Sequence, residues 1–192
     1  ASYLAKEVDD KSGVIDNGIA EDVAIILATV PAEIFSQELA SVNILESNIP
    51  NLLVSLLGSE KPESLRVQCV KALVALVNNS EIAKAMCTGD SVPSILKMLG
   101  SNTDSKLILD LLADMLSLLI NSEPLVVSKA IVDSEGIAVI KKIMECSKPG
   151  NAQLSMLSII ADIATGENEM REQLSDIVCA IVPAAEIYLK AL

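Results

Sequence analysis

The chain contains no histidine and no tryptophan. Without histidine no Ser-His-Asp arrangement can form, and the commonest general base and the commonest metal ligand are both missing. Serine and threonine hydroxyls are then left without a base to activate them. No Gly-rich phosphate loop and no HExxH occurs either. The four cysteines, Cys69, Cys87, Cys146 and Cys179, are scattered through apolar stretches, and no two stand as CxxC. That spacing suits neither a zinc site nor a disulfide framework. They read as reduced core thiols, which leads to the expectation of an intracellular, cytoplasmic or nuclear protein. Aromatic residues are reduced to Tyr3, Phe35 and Tyr188, although 51% of the chain is hydrophobic. The core is therefore expected to be aliphatic. No apolar run reaches the ~20 residues of a membrane helix. The longest candidate, 107–120, is interrupted by Asp110 and Asp114. Basic residues are also scarce, 14 against 26 acidic ones, for a net charge of −12. A phosphate backbone needs clustered Lys and Arg, so nucleic acid is a poor match and a basic peptide or protein face a better one.

What the chain has instead is a repeat. Ile49-Pro50-Asn51-Leu52-Leu53, Val92-Pro93-Ser94-Ile95-Leu96, Ile137-Ala138-Val139-Ile140-Lys141 and Val182-Pro183-Ala184-Ala185-Glu186 align at spacings of 43, 45 and 45. A fixed period in this range marks a stacked helical array, whose product is an extended surface rather than a deep pocket. Each unit reads as a short helix, a second helix and a longer third one. In the second unit Ser80 is expected to cap a helix over 81–88, ended by Gly89-Asp90. Ser91 opens the next, with Pro93 in its first turn, and Gly100-Ser101 stops it. Asn102-Thr103-Asp104 then leads into a long helix to about Ile120. The third unit repeats the plan, with helices over 124–132, 137–146 and 151–164 separated by Ser134-Glu135-Gly136 and Lys148-Pro149-Gly150. Earlier, 19–30 reads as a long helix, 31–42 as a short one and 49–57 as a second. Residues 167–192 read as the start of a further unit. Asn78-Asn79-Ser80 fits a glycosylation sequon and is read as a helix end.

Each long helix keeps a polar stripe at steps of three and four residues, which places its members on one face. The stripes are Ser64, Gln68, Lys71 and Asn78; Lys106, Asp110, Asp114 and Ser117; and Asn151, Ser155, Ser158, Asp162 and Thr165. Aligned by repeat, Gln68, Asp110 and Ser155 form one row, and Ala75, Ser117 and Asp162 another. Asp110 and Asp114, four residues apart on one helix, repel modestly and could share a proton or a cation. A solvating role or partner contact fits this pair better than catalysis.

The segments 47–57 and 90–99 resemble the second helix of an armadillo repeat, and 71–78 and 157–166 are similar to its third helix. The related HEAT repeats overlap this pattern. The resemblance covers roughly 19–192 and implies an all-α, right-handed α-α superhelix, a solenoid of about four armadillo-like repeats. The expected organisation is a tail or lead-in helix over 1–18, a partial repeat over 19–48, repeats over about 49–90, 91–136 and 137–181, and a partial one over 182–192. It also implies that the third helices line a concave groove that binds partners. Gln68, Lys71, Asp110, Asp114, Ser117, Ser155, Ser158 and Asp162 are then the candidate partner-binding residues. Peptide-binding members carry an Asn on this helix, and the importin type adds a Trp; here those positions read Ala75, Ser117 and Asp162, and no Trp exists. A nuclear-import adaptor is therefore not expected. The reading is a non-enzymatic interaction scaffold without metal or cofactor, receiving a partner helix or basic segment in a mildly acidic groove. Alternatives are a regulator of a chaperone ATPase or small GTPase, acting as co-chaperone or in nucleotide exchange, and an oligomerisation module that self-associates through the solenoid ends.

Overall fold

A computed structural model describes residues 17–35, 37–101, 105–145 and 150–165, with Glu172, Leu174, Val182 and Glu186. All regular structure among these residues is helical. The helices are α1 (Asn17–Thr29), α2 (Ala32–Phe35), α3 (Glu38–Glu46), α4 (Ile49–Ser55), α5 (Glu63–Val77), α6 (Ser80–Cys87), α7 (Ser91–Ser101), α8 (Lys106–Ser122), α9 (Pro124–Asp133), α10 (Gly136–Glu145) and α11 (Asn151–Thr165). No described helix is long and apolar enough to cross a membrane. The leads over 102–104 and 146–149, residues 1–16 of the expected 1–18 tail or lead-in helix, and the segments after 165 lie outside the described set, apart from the four isolated positions, while Asn17 and Gly18 belong to α1.

Among the described residues the expected helices are present, with local differences: α1 begins at Asn17, α4 ends at Ser55 rather than 57, and α7 runs through Gly100-Ser101, which were expected to stop it. The segment 31–42 was expected as one helix; α2 ends at Phe35, and α3 begins after Gln37, whose backbone is extended (φ −71, ψ 129). The cap of α6 is Asn79 rather than Ser80: its Oδ1 accepts from the Glu81 and Ile82 N–H groups at 2.9 and 3.1 Å. This leaves Ser80 inside the first turn, where it starts the helix. Gly136 belongs to α10 rather than to the preceding turn. A Cβ there would lie 2.7 Å from the Ile131 carbonyl oxygen and 2.9 Å from Leu96 Cδ1, so only glycine fits between α9, α7 and α10. Asn78, the sequon asparagine, caps the end of α5 as expected, donating to the Val74 carbonyl at 3.0 Å.

The chain divides into two units, 1–86 and 87–192. In the first, α1 lies along α5, α4 also packs on α5, α3 packs on α4, and α2 meets α3 and α5. Leu65, Cys69, Ala72, Leu73 and Leu76 of α5 are fully buried here. In the second unit α11 lies along α8 and α10 along α7, while α9 touches all four. Leu112, Met115, Leu116, Leu119 and Ile120 make the centre of α8 equally inaccessible. Each such side chain is worth ~1.5–3 kcal/mol on leaving water, so this aliphatic core, not helix propensity, holds the helices in place.

Both units use one packing rule: helices at equivalent repeat positions lie side by side. The polar cross-links show the register. In the first unit Lys61 donates to Asn17 Oδ1 at 3.2 Å, Ser64 to Glu21 Oε2 at 3.4 Å and Asn79 Nδ2 to the Phe35 carbonyl at 2.6 Å, at sequence separations of 44, 43 and 44. In the second, Lys142 donates to the Gly100 carbonyl at 2.9 Å, the Ala152 N–H to Asp110 Oδ1 at 2.9 Å and the Ser155 hydroxyl to Asp114 Oδ1 at 2.9 Å, at separations of 42, 42 and 41. These separations match the sequence period to within a few residues.

Candidate partner-binding surface

The stripe residues sit on α5, α8 and α11, the three long helices expected to carry them. Their environments differ. Lys71 and Ser158 are exposed, whereas Gln68, Asp110, Asp114, Ser117, Ser155 and Asp162 are half-buried. In the second unit the structure brings three of them, Asp110, Asp114 and Ser155, to one seam. Asp110 accepts the backbone N–H of Ala152, in the first turn of α11. That N–H is one of the donors a helix start leaves unpaired, and a carboxylate there also complements the helix dipole. One turn on, Asp114 accepts the Ser155 hydroxyl.

This arrangement revises the reading of the carboxylate pair. Asp110 and Asp114 each reach across to α11 through one carboxylate oxygen. Their first duty is to set the register of α11 on α8, and only what remains of their surface is open to a partner. Among the described residues no group of three or more Cys, Asp or Glu gathers in a way that could hold a metal ion. Asp162 lies further along the stripe of α11, in the row it shares with Ser117. Its Oδ2 is buried without a hydrogen-bond partner, while its carbonyl accepts from Thr165 at 2.8 Å. Ser117 is half-buried near it in register, one repeat earlier. Gln68 and Lys71 lie on α5 in the first unit, where Ser64 on the same helix contacts α1 through Glu21.

Other links tie helix ends rather than form a site. Gln153, 6% exposed, donates from Nε2 to the Ile143 and Met144 carbonyls at 3.4 and 3.3 Å, occupying acceptors that the end of α10 leaves open. The Lys142 ammonium serves the end of α7 in the same way. The two described thiols are held in the protonated form. Burial first, and the Glu21 charge second, push Cys69 up to about 12, and burial with Glu123 pushes Cys87 up to about 11. Cys87 donates to the Leu119 carbonyl at 3.6 Å, and both thiols are free and buried. Cys146 and Cys179 lie outside the described residues. A depression of about 200 Å³ in the first unit is lined by Leu45, Asn48, Pro50, Asn51, Ala85 and Met86. It is smaller than the ~300–1,000 Å³ typical of ligand sites, and no stripe residue lines it.

The exposed apolar side chains were the part of the surface that stripe reasoning passed over. Leu107 on α8 is 53% exposed and Leu154 on α11 47%, beside the polar rows. A polar-residue search cannot find them, because in sequence they look like core positions.

No family model matches this chain, and no curated protein matches it. Among solved structures it is similar to a crystal structure described as an engineered protein, a Northeast Structural Genomics Consortium target. The two are 26% identical with a TM-score of 0.65, over 91% of this chain. The chain spans 66% of that protein's length, just under two thirds. Together with the helices described above, this supports an all-helical fold.

Proposed function

We propose that the chain is a run of armadillo-like repeats, a right-handed solenoid, and that it works as a non-enzymatic scaffold for another protein. The observation that carries this reading is the register of the cross-links. Six hydrogen bonds join residues 41–44 apart in sequence, three in each unit. Such bonds arise when one repeat is laid on the next, and stacked repeats yield long surfaces suited to macromolecules. The partner is a helix or a basic segment. A net charge of −12 favours its approach, and Asp110, Asp114 and Asp162 gather on neighbouring long helices of one unit. The exposed Leu107 and Leu154 would supply apolar contact beside that charge.

The test must separate charge from folding, because Asp110 and Asp114 also hold α11. Asp110→Asn, Asp114→Asn and Asp162→Asn in one variant keep an acceptor oxygen at each site and remove three charges. Proteins captured by the wild type from a native lysate should bind the variant at least several-fold more weakly, with helicity unchanged by circular dichroism. Capture at equal strength by both would refute an acidic partner surface on α8 and α11.

A further inference from the structure

The depression of about 200 Å³ in the first unit has a polar rim that the fold alone does not require. It lies where the end of α3, the start of α4 and the end of α6 meet. Leu45, Pro50, Ala85 and Met86 make its apolar part, and Pro50 and Met86 are buried, Met86 at 2% exposure. Asn48 and Asn51, both exposed, make the polar part. Asn51 Nδ2 donates to Asn48 Oδ1 at 2.7 Å, so the two carboxamides are held as one arm. With its oxygen engaged in this way, Asn48 offers Nδ2 as a donor.

The backbone holds this arm in place. Asn48 is left-handed (φ 52, ψ 29) between α3 and α4. Its N–H donates to the Leu45 carbonyl at 2.9 Å, and its carbonyl accepts from the Leu52 N–H at 3.1 Å. Glycine would serve that conformation equally well, so the turn accounts for the backbone and not for the carboxamide. The start of α4 does not account for it either, because the Asn48 side chain makes no cap bond. Nor is the pair general to the repeat. Aligned through Ile49, Val92 and Ile137, the positions of Asn48 and Asn51 read Ser91 and Ser94 in the next repeat and Gly136 and Val139 in the one after.

An apolar floor with one fixed amide donor beside it is complementary to an apolar side chain carried on a peptide. The floor takes the side chain, and the peptide carbonyl next to it accepts from Asn48 Nδ2. Size agrees with this. A cavity of ~150 Å³ holds a group the size of benzene, so about 200 Å³ admits one leucine-sized side chain and little more. The six lining residues carry no charge, so a charged side chain would lose its water there without compensation. We propose that this depression binds one uncharged apolar side chain of a peptide segment from another protein, anchored by a hydrogen bond from Asn48 to the segment's backbone. The site shares no residue with the acidic rows, so its failure leaves the proposal for α8 and α11 untouched.

Titration of the whole chain with N-acetyl-leucine N-methylamide, followed by NMR, tests it. A single side chain on its own binds weakly, with a Kd on the order of 1–10 mM. The Met86 methyl and Asn48 side-chain amide signals should shift together and saturate. N-acetyl-glycine N-methylamide, which has the peptide groups without the side chain, should bind at least several-fold more weakly. Ala85→Phe fills the depression from an exposed position and should abolish the saturable shift. Asn48→Gly keeps the left-handed turn and removes the donor, so it should weaken the leucine probe several-fold. Circular dichroism should show unchanged helicity in both variants. Absence of a saturable shift at Met86 in wild type would overturn the proposal. So would equal binding of the two probes, or binding at wild-type strength by either variant.

Discussion

Replacing Asp110 with alanine removes one hydrogen bond, 2.9 Å from Oδ1 to the Ala152 N–H, and exposes a donor in the first turn of α11. Loss of a cap at a helix start costs about 0.5–2 kcal/mol, and loss of a charge complementing the dipole about 0.3–1 kcal/mol. Asp110 is half-buried, so the electrostatic part is screened and belongs at the low end of its range. We expect about 1.5 kcal/mol in total for Asp110→Ala, and roughly half of that for Asp110→Asn, which keeps an acceptor. For a domain of this size each kcal/mol moves Tm by about 2–4 °C, so Asp110→Ala should melt about 3–6 °C lower. Calorimetry reads that shift, and amide exchange locates it: the Ala152 N–H should lose protection in the variant. Asp110→Ala combined with Asp114→Ala should not be additive, because both bonds secure the same pair of helices. A Tm within 1 °C of wild type, with Ala152 exchange unchanged, would refute the assignment of Asp110 to the helix seam.

Asn79→Ala removes the cap of α6 and the 2.6 Å bond to the Phe35 carbonyl together, and should cost about 2 kcal/mol in urea unfolding. Asn79→Asp keeps the cap and loses only the donor, so it should cost less. Gly136→Ala forces a Cβ against the Ile131 carbonyl and Leu96, an overpacking expected to cost about 1–3 kcal/mol and visible as a lower denaturation midpoint. The thiol of Cys69 ionises near 9.0 when unfolded but is held up to about 12 in the fold. The unfolded chain therefore binds fewer protons above pH 9, so stability should be full below that pH and decline as pH rises toward 12. Melting at pH 8 and pH 10 should show this decline reduced in Cys69→Ala, and alkylation of native Cys69 at pH 8 should be slow.

The helices were legible because their signals are local and redundant. Pro93 in a first turn, Asn78 at a helix end and Gly89-Asp90 after α6 each act within a few residues of where they stand. The split before α3 was not legible, because no Pro or Gly follows Pro31 in 31–42 to mark the extended Gln37. Asn79 took the cap from Ser80 for a similar reason. Either residue can serve by sequence, and the Phe35 carbonyl, 44 positions away, holds the Asn79 amide so that its oxygen faces the helix start.

The polar stripes show where pattern reading stops. Periodicity places Asp110, Asp114, Ser155 and Ser158 on polar faces of their helices but cannot say whether a face looks at solvent or at the next layer. In a stacked array the two possibilities occur a few ångströms apart, because the edge of a packed side is also the rim of the open surface. A charged residue at that edge reads identically whether it greets a partner or closes a seam. Asp110 and Asp114 close a seam, whereas Ser158, one turn beyond Ser155, is exposed. Conversely, Leu107 and Leu154 carry core-type side chains and stand in solvent. The functional surface of such a fold therefore cannot be read as its polar stripe. It is the set of residues, polar or apolar, that stacking leaves uncovered, and that set is defined only once the register of the layers is known.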